Sequence, residues 1–203
     1  MLHGYGDNAA NFMYLAKPID QQEWQAAYVA LNAPSIIPDN FIGYQWFDLY
    51  PNGVYIAEAG PKEFEQIKKE VNESVIKIIN TIDQYCKSLK ITYQDCFLMG
   101  FSQGGIMTFE VGNYLNQKLA GLGILSGRII SNTKINNENL LQTPIFISHG
   151  EKDDVIPIKN YHQATKFLNK NNCNFESQTI TQDGHNISPE TITLLQKFIK
   201  KIL

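Results

Sequence analysis

Cysteine is scarce in this sequence, with only Cys86, Cys96 and Cys173 among 203 residues. The number is odd, no CxxC pair occurs, and no cysteine stands at metal-ligand spacing from a histidine. That argues against a disulfide-stapled scaffold and against a cysteine-based metal site. Reduced core thiols remain, as expected of a cytoplasmic protein, and no secretory leader precedes the first motif at residues 3–7. Long apolar runs are also lacking: none approaches the roughly 18 residues that span a bilayer, so no transmembrane helix is expected. Nor is positive charge in excess. Seventeen Lys and Arg against 20 Asp and Glu give a net charge of −3, and the lysines are scattered, so no basic field attracts a nucleic-acid backbone. Internal repeats and low-complexity segments are absent. With 43% hydrophobic and 18% charged residues, the chain reads as one ordinary globular domain over 1–203.

Short apolar runs are what the sequence does have. They recur at 28–31, 96–99, 119–125, 145–148 and 175–180, and each is bounded as a strand would be. The first four are nearly continuous in hydrophobicity, as expected of strands covered on both faces, whereas the last alternates like an exposed edge. Between them lie helical patterns. From Pro61 to Leu89 the apolar positions Ile67, Val71, Val75, Ile78, Ile82, Tyr85 and Leu89 step by three or four, with Gly60-Pro61 marking the start. Further helices are expected at 103–116, 158–170 and 189–202, the last behind a Ser188 cap. Alternating strands and helices predict an α/β fold with a mostly parallel sheet. The asparagine-rich stretch 132–139 reads as a surface connection.

Gly100-Phe101-Ser102-Gln103-Gly104 matches GxSxG between a predicted strand and a predicted helix. A serine at the apex of so sharp a turn needs small residues two before and two after it, because side chains there would clash. The same turn aims the positive end of the next helix at the reacting group. A serine hydroxyl is a poor nucleophile until a base takes its proton, and in this architecture the order is Ser, Asp, His. His185, in the short loop QDGHNIS after the last strand, stands where that base is delivered. His162 falls mid-helix as a surface residue, and His149, at the end of a strand, is expected to support the following turn. For the acid, the turn after the strand at 145–148 offers Glu151, Asp153 and Asp154, and spacing does not choose among them.

Taken together, HGYGDN at 3–8, QWFD at 45–48, GFSQGG at 100–105, LSG at 125–127, HGEKDDVIP at 149–157 and GHNIS at 184–188 resemble the phospholipase/carboxylesterase family of α/β-hydrolases, which includes bacterial carboxylesterases and acyl-protein thioesterases. The resemblance spans nearly the whole chain and implies a catalytic triad of Ser102, Asp153 and His185. It further implies an oxyanion hole of the Tyr5 and Gln103 backbone N–H groups, where side-chain identity matters little. His3 is expected to fix that loop without moving a proton. Trp46 matches the family's tryptophan near the active site and is the expected substrate contact.

The implied reaction is hydrolysis of a carboxylic ester or thioester through an acyl-enzyme, with no metal and no cofactor. Small acyl esters, lysophospholipids and acylated proteins are the candidate substrates; a degenerate, non-catalytic binding protein of the same fold is the alternative. Fewer than twenty residues separate the strands at 119–125 and 145–148, too few for a helical lid domain. Aromatic residues between 41 and 55 could line an acyl groove or pack the loop onto the sheet. In the fold the sequence resembles, the strand leading into HGYGD is central, between those at 28–31 and 96–99. Only Met1 and Leu2 stand before the motif, so truncated N-terminal strands, on the order of 15 to 25 residues, are expected.

Overall fold

Nearly continuous burial in three successive strands, with alternation only in the fourth, sets the architecture of the computed structural model, which describes residues 1–21, 24–37, 43–130, 135 and 137–202. Phe41 and part of the 132–139 connection lie outside these residues. In chain order the helices are α1 (Ala9–Phe12), α2 (Ala16–Ile19), α3 (Pro61–Leu89), α4 (Gln103–Tyr114), α5 (Glu138–Gln142), α6 (Lys159–Lys170) and α7 (Pro189–Ile202). The strands are β1 (Ser35–Ile36), β2 (Tyr44–Gln45), β3 (Phe97–Phe101), β4 (Gly121–Leu125), β5 (Ile145–Gly150) and β6 (Phe175–Ile180). β3, β4, β5 and β6 form a parallel sheet in that order, and β1 and β2 an antiparallel pair.

Residue parity assigns each sheet face a partner. Leu98, Leu122, Ile124, Ile145 and Ile147 join Ile67, Val71, Val75, Phe109 and Leu168 of α3, α4 and α6 in one core. Met99, Leu125 and Phe146 point the other way, to Ile192, Leu195, Phe198 and Ile199 of α7. The apolar face of α7 is thus covered by the sheet. Its cap is Ser188, whose Oγ accepts from Thr191 N at 3.2 Å. Along α3 the buried stripe runs through Ile67, Val71, Val75 and Ile78 and then reaches Cys86, leaving Tyr85 43% and Leu89 47% exposed. The expected stripe drifts off the face there because four residues, not three, separate the inward positions after Ile82. β6 alternates exposed and half-buried side chains at the sheet edge, as the sequence pattern implies.

The expected strand at 28–31 is not one. Leu31 contributes a single parallel bridge, to Leu2, and Leu2 bridges Gly100 on its other side. Leu2 N donates to Met99 O at 2.8 Å, and Leu2 O accepts from Phe101 N at 3.1 Å. The segment entering HGYGD therefore lies beside β3, with Leu2 fully buried. All three cysteines are free. Cys86 and Cys96, distant in sequence, bring their Sγ atoms to 3.4 Å. Among the described residues no helix is long and apolar enough to cross a membrane.

Candidate active site

β3 ends in Phe101 and α4 begins at Gln103, so Ser102 alone makes the turn, with φ 55° and ψ −116°. That left-handed φ is costly for a residue with a Cβ and is imposed by packing on both sides. Ser102 N donates to Leu125 O at 2.9 Å, and Ser102 O accepts from Ile106 N at 3.1 Å. A Cβ on Gly100 would lie 2.2 Å from Gly104 O, and one on Gly104 only 2.1 Å from Leu2 O. Both glycines of the motif are thus required by close backbone approach.

The expected acid and base, Asp153 and His185, come from beyond the ends of β5 and β6. Asp153, 6% exposed, sits in the turn after β5. Its Oδ1 accepts from Val155 N at 3.0 Å and Ile156 N at 2.7 Å, which aims Oδ2 at His185 Nδ1, 2.7 Å away. The opposite ring nitrogen, Nε2, lies 2.8 Å from Ser102 Oγ. His185 is further held by the Phe101 ring, 4.8 Å between centroids. The acid turn and the base loop meet backbone to backbone: Lys152 N donates to Asp183 O at 2.9 Å, and a Cβ on Gly150 would lie 2.3 Å from Gly184 O. Gly150 is a positioning residue that spacing alone does not reveal. Asp154 and Glu151, the other carboxylates of that turn, are exposed.

Burial works to raise the Asp153 carboxyl. The His185 hydrogen bond, the Ile156 N–H and the fields of His185 and His149 outweigh it, holding the group below the ordinary carboxylate value. Asp153 is therefore an anion at neutral pH. His149 supports the turn as expected, with its Nε2–H directed to Ile156 O at 2.7 Å and Asp153 Oδ2 at 3.4 Å. Its Nδ1 is buried without a partner among the described residues, and burial depresses its pKa, so the ring is neutral. His162 is exposed.

The HGYGD loop passes directly over the serine. The Cβ position of Gly4 is 3.5 Å from Ser102 Cβ. Among the described residues neither Tyr5 N nor Gln103 N has a hydrogen-bond partner, so both N–H groups are free to donate. Fully buried His3 anchors the loop: its Nδ1–H donates to Gly4 O at 2.7 Å, and its Nε2 accepts from Ala33 N at 3.0 Å. Burial lowers the His3 pKa, and the Ala33 N–H requires a bare nitrogen, so this ring too is neutral.

Trp46, the expected substrate contact, is 2% exposed. Its indole Nε1 donates to His3 O at 2.9 Å and its ring lies 5.3 Å from that of His3, so it braces the loop. The Gln103 side chain is held as well. Its Oε1 accepts from Trp46 N at 2.9 Å and its Nε2 donates to Phe47 O at 2.7 Å, with Ser74 Oγ closing the group on Trp46 O at 2.5 Å. Of the aromatic loop, Trp46 and Phe47 pack inward, while Tyr50 and Tyr55 pair their rings at 5.3 Å nearer the surface.

A sequence model of the phospholipase/carboxylesterase family matches residues 1–203. Acyl-protein thioesterase 1 of Kluyveromyces lactis is 28% identical over 215 residues, covering 100% of this chain and 90% of that protein. Among solved structures, Arabidopsis thaliana SOBER1 superposes with a TM-score of 0.82 at 23% identity, over 99% of this chain and 96% of that one. The Bacillus cereus carboxylesterase gives 0.79 at 16% identity, over 100% and 87%. These two likenesses establish the α/β-hydrolase fold.

Proposed function

The chain belongs to the phospholipase/carboxylesterase family and is an esterase or thioesterase-type hydrolase, and on that premise we propose that Ser102, His185 and Asp153 act as its catalytic triad through an acyl-enzyme. The observation that carries the reading is His185 bonded to both partners at once, 2.8 Å to Ser102 Oγ and 2.7 Å to Asp153 Oδ2. Ser102 Oγ attacks the acyl carbon as its proton passes to His185 Nε2. The carbonyl oxygen becomes an oxyanion between the N–H groups of Tyr5 and Gln103. Asp153 keeps the ring in the Nδ1–H form and stabilises the imidazolium. The imidazolium then gives its proton to the leaving alcohol or thiol. Water, deprotonated by the same ring, attacks the acyl-serine and releases the acid and Ser102.

Carboxylic esters and thioesters are the substrates, with acylated proteins among them by similarity to the yeast acyl-protein thioesterase and lysophospholipids by the family's phospholipase description, encountered in the cytoplasm. A fluorophosphonate probe tests the nucleophile, and a panel of p-nitrophenyl esters alongside an acyl thioester tests the reaction. We expect one covalent adduct, at Ser102, lost in Ser102→Ala together with hydrolysis. Well-folded protein that takes no label and cleaves nothing in the panel would instead be a non-catalytic binder.

A further inference from the structure

The 17 cationic side chains of this sequence comprise 16 lysines and one arginine, Arg128. That single guanidinium stands three residues beyond the end of β4. The position is tied to the serine by backbone geometry. Ser102 N bonds Leu125 O at 2.9 Å, Ser126 N bonds Ser148 O at 2.9 Å, and Gly127 packs so tightly that a Cβ on it would lie 3.1 Å from Gly105 Cα. Ile129 and Ile130 then pack on the main core. Arg128 is thus held at the carboxyl end of the sheet, where Ser102, Asp153 and His185 also project.

Arg128 is half-buried, and among the described residues no carboxylate, hydroxyl or carbonyl pairs with it. A guanidinium cannot shed its proton to escape such a setting, so an unpaired one is held at a cost in solvation. Burial pulls its pKa down, with only the nearby Tyr55 acting against it. Tyr55 stacks near Tyr50 at 5.3 Å, and the Tyr5 phenol feels Tyr50 and Asp48. Tyr5, next to Gly4 whose Cβ position lies 3.5 Å from Ser102 Cβ, thus neighbours Tyr50, which pairs with Tyr55 beside Arg128. Two carboxylates lie on this side, Asp48, whose Oδ1 is engaged by Tyr50 N at 2.8 Å, and Glu70, whose Oε2 is engaged by Asp48 N at 2.7 Å.

We propose that Arg128 anchors an anion subsite beside Ser102, so that the substrate is an ester or thioester carrying a carboxylate or phosphate close to the bond that is cleaved. The aromatic rings give the intervening atoms an apolar wall, and the planar guanidinium matches a bidentate oxyanion. This proposal rests on Ser102 being the nucleophile. It differs from a preference for a bare alkyl chain, which would gain nothing from a desolvated cation.

The test compares matched thioesters that differ only in charge. On the acyl side, S-glutaryl-N-acetylcysteamine is set against its monomethyl ester. On the leaving-group side, the S-butyryl thioester of 3-mercaptopropionate is set against its methyl ester. We expect wild-type protein to favour the anionic member of one pair by about tenfold to a hundredfold in kcat/KM, the scale of a charge-assisted hydrogen bond. The pair that responds identifies which half of the substrate carries the anion. Arg128→Met should bring that ratio close to one, and Arg128→Lys should keep part of it. A wild-type ratio of one or less in both pairs overturns the subsite, as does a ratio that survives in Arg128→Met. The wild-type measurement decides the matter even if the variants fold poorly. Fluorophosphonate labelling of Ser102 and cleavage of the uncharged thioesters report separately on the esterase reading.

Discussion

Asp153 has each carboxylate oxygen on a defined donor, whereas its neighbour Asp154 lies in solvent. Replacing Asp153 by Asn puts an amide where an acceptor must hold Nδ1–H, and allows the imidazole to reverse its tautomer. On the scale of that loss in triads, Asp153→Asn should lower turnover by roughly 10⁴. Asp154→Asn should leave it within about threefold, because an exposed side chain without a partner changes little. Turnover with p-nitrophenyl acetate distinguishes them, and the reverse ranking would move the acid by one residue. Composition and spacing left three carboxylates open in this turn, since a count of residues does not say which way a turn points. Resemblance to the family selected Asp153, and the two N–H groups at Val155 and Ile156 supply the physical reason. Trp46 poses a related question: an aromatic residue near a site is equally at home lining it or bracing it, and residue type alone does not separate the two.

At the scale of elements, the proposed oxyanion hole draws on parts far apart in the chain, and the Gln103 amide fastens them together. It ties the first residue of α4 to Trp46 and Phe47 beyond β2, while the Trp46 indole ties that segment to the HGYGD loop. Gln103→Met preserves length and removes both hydrogen bonds, leaving Trp46 N and Phe47 O buried and unpaired at about 1 to 3 kcal/mol each. The melting temperature should fall by roughly 5 to 20 °C for a chain of this size. Because the loosened donors matter most when charge develops, kcat should drop more than KM changes. Equal stability and unchanged kcat would show that the clamp is idle. The parallel strands and long helices were legible because continuous apolar runs and three-to-four spacing follow from burial itself. The segment at 28–31 has the same apolar look, yet pairing requires a partner, and among the described residues only Met1 and Leu2 bond its backbone. Gln103 carried a signal too, a buried polar residue at a helix start, but its acceptors and donors lie more than fifty positions away in sequence, beyond any local pattern.

Two neutral histidines couple the whole molecule to pH. His3 sits under the N-terminal loop and His149 under the acid turn, and burial depresses the pKa of both. In the unfolded chain each would titrate near 6.5. Between that value and the lower folded one the unfolded state binds more protons, so stability rises with pH there. The contribution is complete above about pH 6.5 and is lost as pH falls through the folded values, by at most about 1.4 kcal/mol per pH unit for each ring. Asp153, also depressed, adds its own loss only below the ordinary carboxylate value of about 3.9, so the two effects separate along the pH axis. Melting temperature should therefore decline from pH 7.5 to pH 5, before the carboxylates of the chain begin to protonate. His149→Gln should start from a lower plateau and decline less steeply, since its amide gains no charge. The loss carries a functional consequence at His3, where a proton on Nε2 would face the Ala33 N–H, break the 3.0 Å bond and free the loop that carries Tyr5. Calorimetric scans of wild type, His149→Gln and His3→Gln across this range check the linkage: parallel curves for all three would remove both histidines as its source.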